Sequence, residues 1–125
     1  MNRALIACAV AGLAALPAVA GASGGDDIRK PGSCSGSSSS KIKVKPDDGR
    51  IEVEFEVDQN KSGERWKVKI KDNSETAFRG SATTTGASGS FSVEKRIADQ
   101  AGSDEITGVA RNKSSDERCT ASATI

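Results

Sequence analysis

From residue 41 to the end of the chain, apolar and polar residues alternate with a period of two, the signature of strands that bury one face. The cleanest run is 51–57, where Ile51, Val53, Phe55 and Val57 interleave with Glu52, Glu54 and Glu56. Before it, Ile42 and Val44 alternate with Lys41, Lys43 and Lys45. After it, Trp66, Val68 and Ile70 alternate with Lys67, Lys69 and Lys71. Further strands are predicted over 77–84 with Phe78 inward, over 91–97, over 105–112, and over 118–125, where Cys119, Ala121, Ala123 and Ile125 share a face. Between the first two strands, Pro46-Asp47-Asp48-Gly49 combines a preset φ with residues that tolerate the bend. Two places break the pattern. Strict alternation over 91–97 would bury Lys95, so a bulge near 94–96 is expected to restore the facing. Over 105–112, Ile106 and Val109 have opposite parity and leave the facing open.

Seven short strands with regular turn signals and no helical periodicity in this region predict an all-β domain. The expected architecture is a seven-stranded antiparallel sandwich of immunoglobulin or fibronectin-type-III kind, with Trp66 on its third strand. A simple meander, in which 51–57 pairs with the Trp66 strand, is the alternative order.

The segment ahead of the strands reads differently. Met1-Asn2-Arg3 is a short positive head, 4–16 is apolar, Pro17 interrupts it, and Ala18-Val19-Ala20 supplies a small-x-small cleavage pattern. Residues 1–22 are therefore expected to be a secretory signal peptide, cut after Ala20 or Ala22. A retained anchor is disfavoured by the short apolar length and by Gly12 and Pro17. Cys8 follows too short an apolar stretch to be a lipoprotein attachment site. Residues 23–40, rich in Gly and Ser, are expected to be a flexible leader, and 41–125 to be the sandwich domain. Export, to the extracellular space, periplasm or cell envelope, makes a Cys34–Cys119 disulfide persist. In an up-and-down arrangement the first and seventh strands start at the same end, so an odd strand count lets the two cysteines meet. Such a loop closure contributes about 4 kcal/mol in the chain-entropy account.

Charge narrows the functional classes. The chain has 18 Lys+Arg against 17 Asp+Glu, and the signal removes one cation, so no global field draws the protein to nucleic acid. Histidine is absent, which excludes Ser-His and Cys-His hydrolytic centres and the commonest transition-metal ligand. The chain is expected not to be an enzyme and to need no cofactor.

Three surfaces remain as candidates. Lys67, Lys69 and Lys71 form a possible anionic-partner face, with Arg65, Arg79 and Arg111 nearby. Lys41, Lys43 and Lys45 are instead neutralised by Glu52, Glu54 and Glu56 if those strands form a hairpin. In a meander those glutamates would neutralise the Lys67 strand and abolish its patch. At one end, turns gather Asp47, Asp48, Asp72, Asn73, Glu75, Asp99 and Asp104, oxygen donors of the kind calcium uses, though in no defined loop motif. At the other end lie the loops 58–64, 85–88 and 113–117, where such sandwiches often recognise partners. Asn60-Lys61-Ser62 and Asn112-Lys113-Ser114 there are formal glycosylation sequons. An inward Lys95 could also form an isopeptide bond with an Asn or Asp side chain.

The run from Pro46 to Asp58, Trp66, Gly89-Ser90-Phe91 and the terminal Cys119 before Ala123-Thr124-Ile125 resemble small secreted bacterial β-sandwich proteins, immunoglobulin-like and of uncharacterised function. The resemblance implies export and fold, and carries no functional residue across. The expected protein is a monomeric, non-enzymatic binding module of the envelope or exterior, with no stable membrane insertion after cleavage. Its expected partner is an anionic envelope polymer or another extracellular protein. A purely structural or accessory domain without a ligand is the alternative.

Overall fold

A computed structural model describes residues 27–125; the expected signal peptide over 1–22 and its expected cleavage site lie outside them. The described residues are all-β. Nine strands form: β1 (Ile28–Pro31), β2 (Ser33–Cys34), β3 (Ser39–Asp47), β4 (Arg50–Asp58), β5 (Arg65–Asp72), β6 (Glu75–Thr83), β7 (Ser90–Ala98), β8 (Glu105–Asn112) and β9 (Arg118–Thr124). They make a four-stranded sheet of order β1-β3-β4-β7 and a five-stranded sheet of order β2-β9-β8-β5-β6, with antiparallel pairing throughout.

The seven strands read from periodicity are β3 to β9. The other two correct the expectation of a flexible leader: β1 pairs with β3 and β2 with β9, so this segment joins both sheets. No alternating hydrophobic pattern marks it; backbone pairing with edges prepared by β3 and β9 orders it. Gly32 is the crossing point. Its N–H donates to the Ser40 carbonyl at 2.8 Å. A Cβ there would lie 2.1 Å from the Thr120 carbonyl oxygen and 2.7 Å from the Ala121 Cβ. Only a residue without a side chain passes between the two edges.

Cys34 and Cys119 face each other across β2 and β9, with Cα atoms 4.0 Å apart, and are joined by a disulfide. Direct pairing of neighbouring strands brings them together, a more local cause than the odd strand count. Glu117 secures the adjoining turn by accepting hydrogen bonds from the Ser38 N–H (2.9 Å) and hydroxyl (2.8 Å).

The core lies between the sheets. Ile42, Val44, Ile51, Val53, Phe55, Val57, Phe91, Val93 and Ile97 come from one side; Trp66, Val68, Ile70, Ile106, Ala110, Cys119, Ala121 and Ala123 come from the other. The β8 ambiguity is settled by Gly108. Ile106, Gly108, Ala110 and Asn112 face inward, and a Cβ on Gly108 would stand 2.6 Å from the Phe55 ring. The missing side chain is the space that Phe55 fills, which leaves Val109 on the outside.

The expected bulge in β7 is absent. β4 and β7 pair in continuous register, with Val53 opposite Lys95. Lys95 nonetheless stays exposed, because β7 is an edge strand and its side chain leaves through the open side of the sandwich. Its Nζ sits 4.5 Å over the Phe78 ring of β6. An inward-pointing lysine of this kind discourages pairing with a foreign strand. The one register shift falls instead between Ile70 and Lys71 in the β5–β6 pair.

Replacing Gly32 by Ala should destabilise the fold by about 1–3 kcal/mol, the usual range for overpacking. Unfolding in urea would measure it, and an unchanged midpoint would contradict the crossing argument.

Candidate functional site

The outer face of the five-stranded sheet is built by the same alternation that buries Trp66, Val68 and Ile70. Each inward residue sends its neighbours outward, so β5 presents Lys67, Lys69 and Lys71. Register then decides what stands beside them. Lys67 lies opposite Ser81 on β6 and Arg111 on β8, and Arg111 lies opposite Arg118 on β9. Lys69 lies opposite Arg79 on one side and Val109 on the other. Adjacent strands are about 4.8 Å apart. Lys67, Arg111 and Arg118 thus form a three-cation row across the strands, and Lys69 with Arg79 forms a second row beside it. Together these residues and Val109 line a shallow groove of about 440 Å³.

Like charges placed directly across a sheet oppose folding, and little in the surrounding structure offsets them. Among the described residues the only ion pair on this stretch is Arg111 with Asp116, at 2.9 Å. Lys71 belongs to the face but not to the groove. It stands opposite Thr107, towards the end where Glu75 and Glu105 begin. Arg65 opens β5 on the same face, opposite Thr83. Arg118 was missed by sequence reasoning. The alternation of β9 already sent it outward, but only the β8–β9 register reveals that it extends the cationic row.

The opposite sheet shows what compensation looks like. Lys41 meets Glu56 at 3.1 Å, Lys43 meets Glu54 at 3.3 Å, and Lys45 lies opposite Glu52. The hairpin expectation holds for this trio. β4 pairs with β3 and β7 rather than with β5, so its glutamates are not neighbours of Lys67 and Lys69.

The acidic end is only partly assembled. Asp47 is drawn away to Arg96 at 2.9 Å, and Asp48 is an exposed turn residue with φ 55°. Asn73 works as a clamp, donating to the Ser103 carbonyl at 3.0 Å and accepting from the Glu105 N–H at 2.9 Å. Asp72, Asp104 and Asp99 do come together. The Asp104 carboxyl acts on both others, yet the three do not gather within the 4.8 Å that one small ion would span. Asp72 and Asp104 are each 1% exposed. Burial pushes the Asp72 carboxyl up from 3.8 to about 7, with Asp104, then Asp99 and Glu75, adding to the effect. The Asp99 carboxyl is raised by desolvation and by Asp104.

The loops at the other end are braced to one another. Glu64 accepts from Gln59 and Asn112, each at 2.8 Å, and pairs with Lys61 at 2.9 Å. These donors, Gln59 first, hold its carboxyl down from 4.5 to about 2. Gln59 in turn accepts from the Trp66 indole at 3.0 Å, while the buried Thr84 hydroxyl donates to the Lys61 carbonyl. Asn112 is fully buried and its side-chain Oδ1 accepts from the Ser114 and Ser115 N–H groups. Its sequon is therefore sealed in the folded domain, whereas Asn60 is exposed.

Cys34, Glu117 and Cys119 lie within 4.8 Å of one another, but both sulfurs are consumed in the disulfide. The chemistry on offer at the groove is recognition of negative charge by ammonium and guanidinium donors. Among the described residues, no helix is long and apolar enough to cross a membrane. No family model, no curated protein and no solved structure matches the chain.

Truncating Glu64 to Ala strands the Asn112 and Gln59 donors and should lower stability at neutral pH. Because the folded carboxyl is depressed, its contribution is complete above about pH 4.5 and fades as pH falls towards 2. The gap between Glu64→Ala and the unaltered protein, followed by thermal melting, should therefore narrow in acid. A gap independent of pH would show that the carboxylate charge is not what braces the loops.

Proposed function

We propose that this chain is a secreted, non-enzymatic binding module that holds a phosphate- or sulfate-bearing polymer of the cell envelope or exterior on the outer face of its five-stranded sheet. The observation that carries the reading is the cationic cluster of Lys67, Lys69, Arg79, Arg111 and Arg118, in which only Arg111 has an ion-pair partner, Asp116, among the described residues. A solvated face with no partner gains nothing from three cations in register, whereas the opposite sheet neutralises its lysines strand by strand. Guanidinium forks suit phosphate and sulfate oxygens, and the open groove admits a chain lying across the strands. A neutral domain with one cationic face would bind through that face and not through its overall charge.

The strand order supports a fibronectin-type-III-like reading of the fold. Counted from β3, the first, second and fifth strands share one sheet, and the fourth, third, sixth and seventh share the other. Immunoglobulin constant-type sandwiches keep the fourth strand in the first sheet. Here it has crossed over, and β1 and β2 are additions. The disulfide accords with an oxidising compartment.

Retention on immobilised polyphosphate and on a sulfated glycan tests the binding reading. The protein should be held at ~0.1 M salt and released towards ~1 M, where the screening length shrinks from about 10 Å to about 3 Å. A variant with Lys67, Lys69 and Arg118 changed to Ser should lose retention while folding at least as stably, and a Lys41→Ser, Lys43→Ser control should keep it. If the unaltered protein passes through both matrices at low salt, the reading fails and a structural role without a ligand takes its place.

A further inference from the structure

Asp72 closes β5 on the inward face, in line with Trp66, Val68 and Ile70, so strand periodicity drives a carboxyl into the end of the core. It is 1% exposed, and neither of its oxygens receives a hydrogen bond from any N–H or O–H of the described residues. A buried carboxylate without a donor is strongly unfavourable. The groups that act on it offer no cation: Asp104 and Asp99 come from the β7–β8 connection, and Glu75 comes from the start of β6. Across the sheet Asp72 lies opposite Ile106 of β8, so Asp104, two residues earlier and also 1% exposed, is its diagonal neighbour at the end of the core. Two carboxyls in contact satisfy each other only when one carries a proton, which then becomes the missing donor.

We propose that Asp72 and Asp104 share one proton beneath the β7–β8 connection, and that its loss above neutral pH releases this connection from the end of the sandwich. The placement of Asp104 makes it the anchor of that connection. Its side chain accepts the Gln100 N–H at 3.0 Å, closing the loop. Its backbone exchanges hydrogen bonds with Ile125, at 2.9 and 3.0 Å, holding the chain beyond β9. When both carboxyls ionise, their repulsion acts directly on the residue that carries these bonds. A shared proton fits better than a bound cation, because Asp72, Asp99 and Asp104 do not converge on one point.

The direction of the pH effect follows from the upward displacement of the Asp72 carboxyl. The unfolded chain gives up this proton near pH 3.8 and the folded one only near 7, so stability from the pair is complete in acid and lost as pH rises through that window. Compared with Asp72→Asn, the unaltered protein should show an unfolding constant that climbs by up to about tenfold per pH unit across it. The variant, which keeps a donor at this position, should lack the slope and be the more stable protein at about pH 8. Millimolar calcium chloride should shift neither. Should the variant fail to fold, carboxyl carbon shifts in the unaltered protein report directly, with a titration midpoint near neutrality expected at Asp72. Identical pH profiles for the two proteins, all aspartates titrating in the ordinary acidic range, or calcium stabilising the unaltered protein but not the variant would each overturn the proposal.

Discussion

The passage of the chain from β4 to β5 is the constraint on which the rest of the structure depends. Both strands carry a continuous apolar face, Ile51-Val53-Phe55-Val57 in one and Trp66-Val68-Ile70 in the other. As hydrogen-bonded neighbours they would have left both faces to be covered by something else. Placed in opposite sheets, they cover each other across the roughly 10 Å that separates packed sheets. The 59–64 connection makes this crossing and is secured at once: Gln59 accepts from the Trp66 indole, and Glu64 gathers Gln59, Asn112 and Lys61. The buried ring and the braced loop are one arrangement.

Charge distribution is a by-product of that crossing. The glutamates of β4 travel with it into the four-stranded sheet, where β3 supplies the matching lysines. β5 arrives in the other sheet with lysines of its own and finds Arg79, Arg111 and Arg118 beside it. A chain with nearly equal numbers of cations and anions thus acquires one neutralised face and one cationic face. Nothing in the totals distinguishes them.

The two ends of the sandwich also differ in how they settle polar groups. At the Glu64 end, each buried donor finds a charged or amide acceptor, and an ionised carboxylate is the hub. At the Asp72 end, the carboxyl has no donor within the described residues and meets only other acids. Acidification therefore works in opposite directions at the two ends. The disulfide adjoins the 113–117 loop of the Glu64 end, and with the Gly32 crossing it ties the first described residues to β9 and to β3.

Much of this was written in residue order alone. Period-two alternation determined the strands β3 to β9 and, outside β7 and β8, their inward residues and the lysines that point outward, because the pleat allows no other facing once one side is apolar. The sequence likewise determined that Cys34 and Cys119 could only pair with one another among the residues after the leading segment. What it could not carry was partnership between strands. Backbone pairing is indifferent to side-chain pattern, so β1 and β2 were invisible in a Gly/Ser-rich stretch, and Arg118 could not be seen as a neighbour of Arg111. The inward Lys95 looked like a defect until β7 proved to be an edge with Phe78 beside its exit. Glycine was equally silent, since Gly32 and Gly108 act through the atoms they lack, and only the approach of Thr120 and Phe55 gives that absence a meaning. Which residues form strands is local chemistry; which strands meet, and hence where charge accumulates, was decided by the packing of two apolar faces against each other.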